Sequence, residues 1–300
     1  MNIALGPPSI GRLGQIESAR RVARAVAQPS PSRIYPKRRW LPESETRGRA
    51  KTSWPCKNSD VVSQFVSGPS YVDRARAVYD ASAAQYVRFV GLEISPATEG
   101  PVDRSLLTAF VELVSSAGNG RVADIGCGPG RVAALLARHG FDVVGIDPSA
   151  ALLDLARHAH PSIVFELGQL NALPVANGAL VGAVCWYSIM YTPPSHMDEL
   201  CFELSRAMAP GGWVLLAFPA GSGEALHRDD AFGTKLPLTT YLHDPNDVRE
   251  RLTNSGMEIH VTTIRQAELE HEMTPQAFFI ARRTSDLGPL VSPTIARLSG

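Results

Sequence analysis

The sequence predicts an α/β protein built on a doubly wound, Rossmann-like sheet with helices on both faces, and three observations carry that expectation. From Arg121 onward, short apolar runs of strand length alternate with runs of helical periodicity. The first of these strands leads through a glycine-rich turn straight into an apolar helix. The second ends on an acid, Asp147. Strand, helix and strand at this spacing mean parallel pairs joined by right-handed crossovers.

Each element has its own signal. Tyr71–Val90 sets Val72, Ala75, Tyr79, Ala83, Tyr86 and Val90 at spacings of three and four, which predicts a helix. A second helix is expected over Asp103–Ser116, with Leu106, Leu107, Phe110, Val111 and Val114 on one face. Strands are expected at Arg121–Ile125, Asp142–Ile146, Ile163–Leu167, Leu180–Trp186 and Trp213–Phe218. Helices at Arg131–Arg138, Ala150–Ala159 and His196–Met208 lie between them. A helix at Asn246–Asn254 and strands near Glu258–Ile264 and Ala277–Ala281 bring the strand count to seven. The stretch Ala209-Pro-Gly-Gly212 is expected to end a helix and turn the chain into the fifth strand. No internal repeat is visible.

Composition bounds the function classes. Hydrophobic residues make up 44% of the 300 and charged residues 19%, as in a soluble globular protein. The zero formal charge hides an asymmetry. Residues 1–60 hold twelve Lys/Arg against four Asp/Glu, a net +8, and the remainder carries −8. An acidic domain gives no reason to expect a polyanionic partner such as nucleic acid. Cys56, Cys127, Cys185 and Cys201 include no CxxC pair, so neither a disulfide scaffold nor a metal site is expected. The uncharged stretch 168–195 is too polar and too interrupted by proline for a membrane span. No unbroken apolar signal segment stands in residues 1–28, so a cytoplasmic protein is expected.

Residues 1–60, rich in Pro, Ser and Arg, are expected to form a disordered basic leader. An interaction arm around Pro36-Lys-Arg-Arg39, a transit peptide, or a leader foreign to the natural protein are the alternatives. The folded domain is expected over 61–284, with a helical cover at 71–117 and a core sheet at 121–284, followed by a flexible tail at 285–300.

The chemistry centres on Val122-Ala-Asp-Ile-Gly-Cys-Gly-Pro-Gly130. A strand turning sharply into a helix beside a ligand needs the backbone freedom of Gly126, Gly128 and Gly130. A dinucleotide site would read G-x-G-x-x-G. Here the spacing is G-x-G-x-G, and Pro129 removes a backbone donor that a phosphate would use. Asp124 beside the loop favours a ligand bearing a cationic group. Asp147, 21 positions after Gly126, is placed to accept both hydroxyls of a ribose. It can equally be read as a helix cap, since Pro148 follows it.

Val122–Gly130, the strand-ending Asp147, Gly168-Gln-Leu-Asn-Ala-Leu-Pro174 and Arg206-Ala-Met-Ala-Pro-Gly-Gly212 together resemble the class I S-adenosylmethionine-dependent methyltransferases. The likeness runs to their broad small-molecule group, which includes quinone-biosynthesis methyltransferases, and covers roughly residues 71–283. It implies a seven-stranded sheet of order 3-2-1-4-5-7-6 with strand 7 antiparallel. It implies S-adenosyl-L-methionine as cofactor. Asp124, Gly126, Gly128 and Gly130, with Cys127 between them, would hold the methionine part, and Asp147 the ribose. Gln169 and Leu170 would line the adenine, with Gln169 standing where many relatives have Asp. Trp186 and Tyr187 would lie under the transferring methyl, and Tyr79 would cover the cofactor from above, unless it is only a core aromatic of its helix.

Methyl transfer from a sulfonium needs alignment and exclusion of water, and a base only if the acceptor arrives protonated. Candidate bases are His196, His227, Asp229 and His243, each also readable as a surface or structural residue. Met190 and Tyr191 would extend an aromatic pocket wall, and Arg228 and Tyr241, within 221–243, would meet a small organic acceptor. No metal is expected. The rival readings are a nucleotide-dependent oxidoreductase, which the glycine spacing disfavours, and a cofactor-binding protein without turnover.

Overall fold

The computed structural model describes residues 69–118 and 120–284. The expected leader at 1–60 and tail at 285–300, and Cys56, lie outside the described residues. Chain order is α1 (Tyr71–Val90), α2 (Pro101–Ala117), β1 (Arg121–Ile125), α3 (Arg131–Arg138), β2 (Asp142–Asp147), α4 (Ala150–Ala159), β3 (Val164–Leu167) and β4 (Leu180–Trp186). It continues with α5 (Met197–Ala207), β5 (Met208–Pro219), β6 (Glu224–Arg228), β7 (Leu238–Leu242), α6 (Pro245–Asn254), β8 (Met257–Arg265) and β9 (Gln276–Arg283).

Seven strands form one sheet in the order β3-β2-β1-β4-β5-β9-β8. β1 to β5 run parallel, and β9 runs antiparallel to both β5 and β8. Counted within this sheet, the order is 3-2-1-4-5-7-6 with the seventh strand reversed, as expected. Alternation along the strands splits the core between two faces. Trp213, Leu215 and Ala217 of β5 and Phe278 and Ile280 of β9 pack with α2, α3 and α4. Val214, Leu216, Phe218, Ala277 and Phe279 face the other way, toward α5 and α6.

Local chemistry sets the helix starts. Ser70 caps α1: its hydroxyl accepts from Asp73 N–H at 3.1 Å, and Asp73 returns the bond to Ser70 N–H at 3.2 Å. Pro101 opens α2, where a missing N–H costs nothing. The Ala209–Gly212 segment differs from expectation. The helix stops at Ala207, and the segment lies inside β5 as a bulge: Leu180 pairs with Met208 and Gly182 with Trp213, so five steps along β5 match two along β4.

The β6–β7 hairpin, a two-stranded sheet of its own, was expected only as a loop. It follows β5 at the carboxyl ends of the strands, the side where ligands bind in such sheets. At its base Gly221 N–H donates to the His243 carbonyl at 3.0 Å.

One buried ionic cluster joins distant parts of the chain beside this end of the sheet. Arg265 donates to both carboxylate oxygens of Asp103, at 2.7 and 2.6 Å, and to both oxygens of Glu272. Burial opposes the guanidinium's charge, but these two carboxylates hold its pKa above the ordinary value. Removing one partner leaves charge buried and under-compensated. Asp103→Ala is therefore expected to cost about 3 kcal/mol of unfolding free energy, read from chemical denaturation, and Asp103→Asn less.

Candidate active site

The turn from β1 into α3 is held in a conformation few residues tolerate. Gly126, Gly128 and Gly130 have φ of +72°, +52° and +83°. Two of them are also fixed by space. A Cβ on Gly126 would lie 2.3 Å from the Ser188 Cβ, and one on Gly130 2.8 Å from the Phe165 ring. At Gly128 the nearest atom would be a Tyr86 ring carbon at 3.6 Å, an ordinary contact, so here the left-handed backbone and not space favours glycine.

Two buried carboxylates tie the loop down. Asp147, ending β2, accepts from Gly128 N–H at 2.9 Å through one oxygen and from Ser149 N–H at 2.8 Å through the other. The helix-capping role belongs to Ser149, whose hydroxyl accepts from Leu152 N–H at 3.2 Å. Asp124, in β1, accepts from Ala133 N–H in the first turn of α3 at 2.8 Å. Burial pushes the Asp147 pKa up to about 6 against those two N–H bonds. It pushes Asp124 up to about 7, with the nearby Asp147 adding to the effect. Burial likewise raises the Cys127 thiol, which stays protonated.

Two cavities open at this turn. The smaller, about 90 Å3, is lined by Asp147, Gln169, Leu170, Asn171 and residues of α1. The larger, about 210 Å3, is lined by Asp124, Cys127, Met190, Arg228 and residues of the β6–β7 hairpin. Tyr79, Tyr86, Gly126, Gly128, Trp186, Tyr187 and Tyr191 line both, and so form a shared waist. Five of those seven are aromatic. The Tyr79 ring lies 5.0 Å from Tyr86 and 5.6 Å from Tyr191, and its hydroxyl bonds that of Tyr191. Phe232, from the hairpin, closes over Tyr79 at 5.8 Å and Tyr86 at 5.7 Å. Tyr187 takes a left-handed backbone at φ +56°. Its buried hydroxyl faces Arg265 without a well-formed hydrogen bond.

The structure thus brings Tyr79, Asp124, Gly126, Cys127, Gly128, Asp147, Gln169, Leu170, Trp186, Tyr187, Met190, Tyr191 and Arg228 to one connected space, with Gly130 behind the loop. It does not bring Tyr241 there. On β7 the cavity-facing residues are Leu238, Thr240 and Leu242, so strand alternation turns Tyr241 away. The candidate bases are also elsewhere. His196 bonds Ser195 on the surface, and His227 bonds Thr239 at 2.9 Å. His243 is buried, with its Nε2 3.2 Å from the Ile189 carbonyl, and Asp229 lines neither cavity.

Sequence reasoning missed several wall residues. Tyr86 was legible, being seven positions from Tyr79 on the same helix face. Arg131 follows the glycine loop directly. It donates to the Val90 carbonyl at 3.0 Å and pairs with Glu99, both almost fully buried. Thr240, His271, Glu272 and Gln276 come from segments whose sequence carries no such signal. Among the described residues no cluster of His, Cys, Asp and Glu is placed to hold a metal. No helix among them is long and apolar enough to cross a membrane.

Comparison with known proteins agrees with this geometry. A family described as a methyltransferase domain matches residues 122–212. A trans-aconitate 2-methyltransferase of Sinorhizobium medicae is 31% identical over 195 residues, covering 60% of this chain and 70% of that protein. Its namesake from Methylobacterium nodulans is 32% identical over 154 residues, covering 50% of this chain. That match spans 54% of the Methylobacterium protein, little more than half its length. Among solved structures, the [4+2]-cyclase SpnF superposes with a TM-score of 0.58 at 16% identity, covering 73% of this chain and 97% of its own; the likeness is one of fold. The glycine loop, the acid ending β2, the sheet order and these relatives converge: the chain belongs to the class I S-adenosylmethionine-dependent methyltransferases, whose cofactor is S-adenosyl-L-methionine.

Proposed function

We propose that this protein transfers the methyl group of S-adenosyl-L-methionine to a small organic acceptor by in-line displacement. The observation that carries the proposal is the pair of cavities meeting at an aromatic waist. One suits a nucleoside and the other an acceptor, so a donor lying across the waist would present its methyl to the larger chamber. When bound, the sulfonium supplies a carbon already activated for displacement.

The residues fit that cofactor. Each Asp147 oxygen spends one lone pair on a backbone N–H and keeps another for a ribose hydroxyl. Gly128 leaves room where a side chain would intrude. Asn171 beside the expected Gln169 and Leu170 has a buried carbonyl oxygen without a partner, suited to an amino group of adenine. The ring faces of Tyr79, Tyr86, Trp186, Tyr187 and Tyr191 suit a sulfonium cation. Asp124 offers a carboxylate to the ammonium of the methionine part. The names of relatives, trans-aconitate 2-methyltransferase and malonyl-[acyl-carrier protein] O-methyltransferase, support a small acceptor.

Titration calorimetry with S-adenosylhomocysteine tests the reading. Binding is expected, with no binding of NAD; the reverse outcome overturns the proposal. Asp147→Ala should weaken it at least ~100-fold, since two hydrogen bonds to a charged group, about 1.5–3 kcal/mol each, are lost. Affinity should also fall as pH drops through about 6, where the Asp147 carboxylate takes up its proton.

The buried acids also set a stability trade-off. Because burial raises the Asp124 pKa in the folded state, the folded form holds the proton more tightly than the unfolded chain. That favourable linkage is complete below the unfolded value near pH 4 and is lost as pH rises through about 7. Asp124→Asn, whose amide oxygen can still accept from Ala133 N–H, should therefore raise the melting temperature at pH 8. The gain should shrink toward pH 4, as calorimetric scans at both values would show.

A further inference from the structure

We infer that His271 is the general base of this site and that the acceptor is an alcohol or phenol methylated on its hydroxyl oxygen. The inference rests on the methyltransferase reading above and names the acceptor class for it.

Among the histidines of the described residues, His271 is the one that lines either cavity. It sits in the loop between β8 and β9, with its ring edge-on to Phe89 at 5.4 Å. Among the described residues no group hydrogen-bonds its ring nitrogens, and the residue is half-buried at the chamber wall. Four charged groups face it from different elements: Glu272 beside it, Arg265 at the end of β8, Arg131 on α3 and Asp103 on α2. Burial is the largest influence and lowers its pKa, with the two arginines adding to that effect against the two acids. The imidazole is therefore neutral at ordinary pH and able to take a proton.

The rest of the chamber has the same character. Two guanidinium groups here are committed: Arg131 to Glu99, and Arg265, behind the wall, to Asp103 and Glu272. Two of those partners, Glu99 and Glu272, line the chamber themselves, so a polycarboxylate would meet like charge beside cations already paired. The walls also offer apolar surface and neutral polar groups, two of them deeply buried. Thr240 is 7% exposed and Gln276 3%, both chamber-lining. The Gln276 amide nitrogen donates to the Thr274 carbonyl at 2.8 Å, leaving the amide oxygen to accept from a ligand. A base is useful only when the acceptor arrives protonated, which a carboxylic acid at neutral pH does not and an alcohol or phenol does.

The balance is simple. As the acceptor oxygen forms its bond to the methyl carbon, its proton passes to a ring nitrogen of His271. The carbon–sulfur bond breaks with its electron pair remaining on sulfur. The products are a methyl ether, S-adenosylhomocysteine and an imidazolium, which returns its proton to water.

The test uses the full chain, methyl-labelled S-adenosylmethionine, and a panel of phenols and alcohols matched with carboxylic acids of the same skeletons. Mild alkali separates the products, since esters release label and ethers keep it. With S-adenosylmethionine held saturating at every pH, so that the Asp147 titration does not enter the rate, alkali-stable label on hydroxyl members is expected, rising with pH through one ionisation below the ordinary imidazole value of about 6.5. His271→Gln should lower that transfer about 100-fold or more while changing S-adenosylhomocysteine affinity less than twofold. His227→Gln should leave both unchanged. Label only on acids, no label on any hydroxyl member, or full transfer by His271→Gln would overturn the inference. A wild-type chain that fails to bind S-adenosylhomocysteine would instead overturn the methyltransferase reading. NMR titration of the His271 ring gives an activity-independent check: a pKa at or above the ordinary value speaks against a neutral base.

Discussion

The bond from Gly128 N–H to the Asp147 carboxylate is the constraint around which this end of the molecule is arranged. It joins the turn after β1 to the last residue of β2, across neighbouring parallel strands. Three left-handed glycines allow that turn, and the close approach of Ser188 and Phe165 excludes any larger residue at two of them. The cost is two desolvated carboxylates close enough in space for one to raise the pKa of the other. Their raised pKa values are what burial exacts when a site is shaped before its ligand arrives.

Around this fixed floor the walls come from far apart in the chain. α1 lies across the crevice and ties to the start of α4, where Ser149 donates to Asp80 at 2.6 Å. Arg131 links the glycine turn to the end of α1 and the segment before α2 through Val90 and Glu99. Arg265 links α2 to the β8–β9 loop through Asp103 and Glu272. These two buried guanidinium clusters hold the far wall of the larger cavity, so the position of a chamber residue such as His271 depends on charge pairs outside the chamber.

What was legible in the sequence follows from how local each signal is. The strands and helices from Arg121 to Trp186 were readable almost to the residue, because periodicity and turn chemistry act over a few positions. The glycine loop and Asp147 were readable for the same reason. The hairpin was not: Leu226, Leu238 and Leu242 face a cavity, but the polar run Arg228-Asp229-Asp230 between its strands hides their alternation. The placement of Tyr241 and of the candidate bases depended on that unseen strand register and on side-chain direction. Arg131–Glu99 and Arg265–Asp103 join residues 32 and 162 positions apart, beyond any pattern a window can detect.

The hairpin carries one more consequence. Its two strands bond to each other, and no ladder joins them to the main sheet. Its opening is thus a local event with a free energy below that of global unfolding. What seats it is side-chain packing: Ala231 and Leu238 against Ala75 and Val78 of α1, and Phe232 over Tyr79 and Tyr86. Substitution at the cavity-facing Leu226 or Leu242 reshapes the wall of the larger chamber while leaving the strand pairing of the main sheet untouched.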